Sequence, residues 1–84
     1  MEKLNKSKIY FDFSNLKFEN ITVSQVRFWE DCYPDVDVIA CLTKKMPAWL
    51  DANREGKGRK KLWKRFIVNW LSSQQERYEQ FAKN

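Results

Sequence analysis

The sequence predicts a mainly α domain, a three-helix bundle-like fold with a short N-terminal extended segment or β-hairpin. Three observations carry this reading. Apolar residues recur at helical spacing in three separate stretches, proline and glycine punctuate the gaps between them, and strict alternation is confined to residues 9–18. A chain of 84 residues has room for one domain and buries only about 60–65% of its unfolded surface. Six Phe, four Trp and three Tyr supply the apolar area that so small a core needs. Residues 1–7 are polar and read as a flexible tail, leaving 8–84 as a single small helical domain.

From Lys8 to Ile21, Ile9, Phe11 and Phe13 alternate, and Leu16 and Phe18 follow Ser14-Asn15. Two short strands about a Ser-Asn turn place all five on one side, as an apolar cover for the helices; an extended segment gives the same pattern. Thr22, with Gln25 three residues on, has the form of a capping box, and Ile21 beside Val26 forms a hydrophobic staple. The first helix therefore starts there. Val26, Trp29 and Tyr33 share its inner face, Arg27, Glu30 and Asp31 point outward, and Pro34 ends it.

Val36, Ile39, Leu42, Met46, Trp49 and Leu50 form the stripe of a second helix of about fifteen residues, with Asp35 or Asp37 as N-cap. Pro47 lies inside it and predicts a kink, or a break with Pro47 opening a short continuation. Gly56 and Gly58 mark a loop. Arg59 to about Phe81 reads as the third and longest helix. Leu62, Trp63, Phe66, Ile67, Trp70 and Phe81 lie on one stripe, Lys60, Lys61, Lys64 and Arg65 opposite, and the polar run Ser72 to Arg77 suggests last turns that project or fray.

Charge is the strongest functional signal. Residues 1–53 hold seven basic and eight acidic residues, residues 54–65 hold seven and one, and residues 66–84 hold two and two. The whole net charge of +5 therefore comes from Arg54, Lys57, Arg59, Lys60, Lys61, Lys64 and Arg65. Cations near a helix N-terminus oppose the macrodipole, so a merely solvated face gains little from this placement. Phosphate binding to nucleic acid accounts for it better. Trp63 sits within the cluster; its helical phase favours core packing, with stacking on an unpaired base as the other role.

Other chemistries recede. There is no histidine, which removes the usual general base and the commonest metal ligand. Cys32 and Cys41 have neither metal-ligand nor redox spacing and read as buried free thiols of a reducing compartment. Glu30, Asp31, Asp35 and Asp37 are explained more simply by capping and an exposed face than by a divalent cation. Gly56-Lys57-Gly58 lacks the spacing of a phosphate loop. No signal peptide or membrane span is evident. The expectation is a non-enzymatic cytoplasmic protein without cofactor or metal, whose oligomeric state the sequence leaves open.

The order Ile21-Thr22, Trp29, Tyr33-Pro34, Val36-Asp37-Val38, Leu42, Met46, Trp49-Leu50, a basic loop and Phe66-Ile67-Val68-Asn69-Trp70-Leu71 resembles the small helical C-terminal domain of phage and prophage replication proteins. The resemblance covers residues 11–75. It implies an accessory role in phage DNA replication, with DNA and a host or phage replication protein as partners, and Arg54 to Arg65 as the contact surface. The chain departs from that pattern at Pro47 and in having no upstream initiator or loader region, which suggests an excised fragment or a free-standing protein. A free-standing copy suggests a second function: a protein-binding module that docks on or inhibits a host replication or defence enzyme.

Overall fold

In a computed structural model the structure describes residues 8–56 and 62–83. Strands β1 (Tyr10–Asp12) and β2 (Lys17–Glu19) pair antiparallel, with Phe11 opposite Phe18. Helix α1 spans Val23–Cys32, α2 spans Val38–Ala40, α3 spans Met46–Ala52 and α4 spans Trp63–Lys83. A π-helical turn, Cys41–Lys45, joins α2 to α3 without a break. Three helical bodies and a small hairpin thus make up the domain, as the sequence predicts. The expected tail, residues 1–7, and the expected start of the third helix, Arg59 to Lys61, lie outside the described residues.

The hairpin turn is built by Asp12. Its Oδ1 accepts from the Ser14 N–H at 2.9 Å and the Asn15 N–H at 3.3 Å, and its Oδ2 accepts from the Asn15 side-chain amide at 2.8 Å. This is the local bonding that lets Asp nucleate a turn. Leu16 is bent into a positive φ of 53° by the same turn and points away from the core. Only four of the five expected inward residues therefore face the helices: Phe11 is buried, and Ile9, Phe13 and Phe18 are half-buried.

The predicted caps are present. Thr22 Oγ1 accepts from the Gln25 N–H at 3.0 Å, and Asp37 Oδ1 accepts from the Ala40 N–H at 3.0 Å, which selects Asp37 over Asp35 as the cap. The helical path of α1 ends at Tyr33, immediately before Pro34. Trp29 is buried on its inner face while Arg27, Glu30 and Asp31 are exposed.

Pro47 sits in the first turn of α3, so it opens a short continuation as expected, but the helical backbone runs into that turn without a break. Proline has no N–H to donate and its ring crowds the carbonyl one turn earlier. The chain responds by widening that turn, so the Met46 N–H bonds to the Cys41 carbonyl five residues back. The backbone stays helical through Met46, at φ −64° and ψ −45°. Buried Val38, Leu42, Met46 and Leu50 are four apart, a spacing that drifts around a pure α-helix. The wider π turn absorbs part of that drift. Ile39, expected inside, is exposed because Val38 and Cys41 occupy the inner face instead.

Helix α4 closes the core with Ile67 and Leu71, both fully buried. It continues to Lys83 through the polar run, where Gln75 is drawn inside, and its last turns project as the sequence suggests, with residues 76–81 exposed. The Gln75 Oε1 accepts from the Asp35 N–H at 3.1 Å, and its amide donates to Asp35 Oδ2 at 2.8 Å and to Glu79 Oε2 at 3.0 Å. Tyr33 and Ser72 share a hydrogen bond at 3.1 Å. These bonds hold the Tyr33-Pro34-Asp35 elbow against α4. Beyond them Phe81, expected on the core stripe, is 82% exposed, since the helix has passed the last described element able to cover it. Cys32, expected buried, is exposed at the end of α1, while Cys41 is buried; both are free thiols. Burial pushes the Cys41 thiol up, with Lys45 and the adjacent Trp70 indole partly opposing.

Two outcomes follow for stability. Gln75→Ala leaves the Asp35 N–H and carboxylate without their partner and costs about 1–3 kcal/mol in urea unfolding, against about 0.5 kcal/mol or less for exposed Ser73→Ala. The Asn15 side-chain amide, with the turn N–H groups and Lys17, holds the Asp12 carboxyl below its ordinary value of 3.8. A lowered folded pKa contributes stability that is present above 3.8 and is lost as pH falls through the folded value. Asp12→Asn removes this part of the acid limb, as seen in thermal midpoints measured down an acid series.

Candidate nucleic-acid interface

Helix α4 presents Trp63, Phe66 and Trp70 at the i, i+3 and i+7 spacing that puts them on one face. The Trp63 ring lies 6.0 Å from Phe11, 6.3 Å from Phe13 and 6.0 Å from Phe18, so the hairpin is seated on it. Phe66 is 5.9 Å from Trp63 and 5.8 Å from both Trp49 and Trp70. Seven rings therefore run from the hairpin across α4 to α3, mostly in the edge-on and tilted arrangements that the aromatic quadrupole favours.

The two residues after Trp63 cannot share that face. Consecutive side chains on a helix are about 100° apart, so seating Trp63 inward turns Lys64 and Arg65 out, and both are exposed. Across from them Lys8 is exposed at the start of the hairpin. Asn20, at φ 69°, donates from its side-chain amide to the Lys8 carbonyl at 3.1 Å, closing the open end of the hairpin and fixing where Lys8 emerges. Lys8, Lys64 and Arg65 line one open groove of about 800 Å³ together with Ile9, Leu62, Trp63 and Val68. Asn20, Thr22, Gln25 and Asn69 add hydrogen-bonding groups. Among the described residues this lining holds three cations and no carboxylate.

The other sequence-predicted cations are distributed differently. Arg54 is committed elsewhere: Nη2 is 2.8 Å from Asp51 Oδ1, and the guanidinium lies 5.4 Å from the centroid of the Phe13 ring. It ties the end of α3 to the hairpin, and the Asp51 to Arg54 spacing of three was the available signal for that pairing. Lys57, Arg59, Lys60 and Lys61 lie outside the described residues. Leu62, expected on the core stripe, precedes the first turn of α4 and is 62% exposed beside the groove. Trp63 is both a core ring and a groove ring. The part of the indole that the phenyl rings leave uncovered borders the groove.

Lys8 escaped the sequence reading, since it lies 56 positions from Lys64 in a segment of near-neutral charge. The acidic candidates do not converge. Asp37 caps α2 and Asp35 is held by Gln75, and among the described residues no three His, Cys, Asp or Glu side chains could jointly hold a metal ion. No helix among the described residues is long and apolar enough to cross a membrane. Compared with known protein families, curated proteins and solved structures, the chain matches none.

The division of labour within three consecutive residues is open to direct measurement. Trp63→Ala removes the ring on which the hairpin sits and lowers stability by about 3–5 kcal/mol. Lys64→Ala and Arg65→Ala stay within about 0.5 kcal/mol of the parent in the same denaturation assay.

Proposed function

We propose that the chain is a non-enzymatic DNA-binding module that holds phosphates with its basic segment and acts as an accessory in phage or prophage DNA replication. One observation carries the binding reading: Lys64 and Arg65 stand exposed beside Lys8 on a groove whose described lining has no acid. Three like charges repel one another and give the fold no return, while a polyanion relieves that repulsion and releases its own counterions. Lys57, Arg59, Lys60 and Lys61 immediately precede Lys64 and Arg65 in sequence and add four positive charges to the same segment. Arg54 contributes less, because Asp51 already neutralises it. The replication setting rests on the resemblance of the tryptophan and Tyr-Pro landmarks to phage replication proteins. Phosphate contacts by themselves fix register and orientation without reading sequence.

A second reading has its own observation. At the far end of α4, Tyr78 is 50% exposed and Phe81 82% exposed, which suits a protein-binding module that docks on or inhibits a host replication or defence enzyme. A lysate pull-down in which Tyr78→Ser/Phe81→Ser loses a specific partner, with no DNA shift at moderate salt, favours this reading over the first.

The DNA reading predicts linear log–log salt dependence of affinity. Removing two phosphate contacts with Lys64→Ala/Arg65→Ala lowers the magnitude of that slope by about 1.4–1.8, at about 0.7–0.9 per contact. Fluorescence anisotropy with labelled DNA measures it. Salt-independent binding, or an unchanged slope in the double variant, contradicts the reading.

A further inference from the structure

We infer that the groove takes an unpaired base, so that the DNA held by this module is single-stranded. The inference rests on the phosphate-binding reading and extends it from the cations to the apolar side chains between them. A duplex offers an approaching protein its phosphates, its sugars and, within the grooves, its base edges, with the flat faces of its bases stacked out of reach. Lys8, Lys64 and Arg65 would be served by such a ligand, but exposed Leu62 and half-buried Trp63 and Val68 beside them would not.

A single strand brings both parts in one ligand. Its backbone follows the cations, and a base turned out of the stack presents an apolar face of the kind that aromatic side chains receive. The groove volume of about 800 Å³ is within the range of roughly 300–1,000 Å³ that accommodates small organic ligands. Gln25 and Asn69 line the same space and supply side-chain amides toward a base edge, beside Asn20 and Thr22, whose amide and hydroxyl already serve the hairpin and the α1 cap. Because those groups both donate and accept, the site tolerates different bases.

Charge selects this groove over a second open depression among the described residues. The depression between the elbow and the end of α4 is lined by Asp35 and Asp37 as well as Lys45 and Arg77. Its balanced charge gives a polyanion no preference. The groove at the start of α4 has cations alone among its described lining, which commits it to an anionic occupant with an apolar part.

The test compares an oligothymidylate strand with an abasic strand of equal length, which keeps every phosphate and lacks every base. Anisotropy at matched salt should give the intact strand an advantage of about 5- to 150-fold for one seated base. The indole emission should be quenched by the intact strand alone. Leu62→Ala, on an exposed side chain that leaves the fold intact, should shrink the advantage while leaving abasic-strand affinity unchanged. Equal affinity for the two strands overturns the base site and leaves phosphate binding standing. Failure of both strands to bind at low salt overturns both readings. Displacement of the strand by polyglutamate of matched charge overturns the base site in favour of an acidic protein partner.

Discussion

The seat of the hairpin on Trp63 organises the molecule. A two-stranded hairpin of three residues per strand has no stability of its own in water. Phe11, Phe13 and Phe18 acquire theirs by closing over one indole at 6.0–6.3 Å. Because Trp63 is the first residue of α4, this contact also sets the helix's rotation about its own axis. Phe66, Ile67, Trp70 and Leu71 then meet α1 to α3, and Lys64 and Arg65 have no direction left but outward. The same seat brings Lys8, at the start of the hairpin, to the cations of α4. Core formation and assembly of the charged groove are therefore consequences of one packing event.

Much of this was legible because it is local. Thr22 and Asp37 reach backbone N–H groups three residues on, Pro34 restricts the residue before it, and Ser14-Asn15 mark a turn between two alternating stretches. Each signal involves neighbours in sequence, and each appears in the structure where the sequence put it. The stripe of Trp63, Phe66 and Trp70 was legible for the same reason, since helical geometry fixes its spacing.

The departures arise where a residue's fate depends on what lies across from it. Ile39, Leu62 and Phe81 have the hydrophobicity of core residues, yet among the described residues no element covers them. Gln75 has the character of a surface residue, yet the backbone of Asp35 needs an acceptor at that point and Gln75 provides it. At Pro47 the short continuation opens as expected, but it joins the preceding turn through a π turn rather than a break, because Cys41 can accept from Met46. Of the candidate site, the outward placement of Lys64 and Arg65 was readable from phase. The commitment of Arg54 to Asp51 and the arrival of Lys8 depend on tertiary placement.

One aromatic ring has two tasks, holding the hairpin and bordering the groove, and the four tryptophans give four separate indole N–H resonances to watch. A proton–nitrogen correlation spectrum titrated with single-stranded DNA tests it most directly. The account predicts that the Trp63 indole and the amides of Lys8, Asn20, Thr22, Lys64, Arg65 and Asn69 shift, while the Trp29 and Trp70 indoles and the amides of Tyr78 and Phe81 stay in place. Shifts confined to the Tyr78 and Phe81 end of α4, or a spectrum unchanged by DNA at low salt, would contradict it.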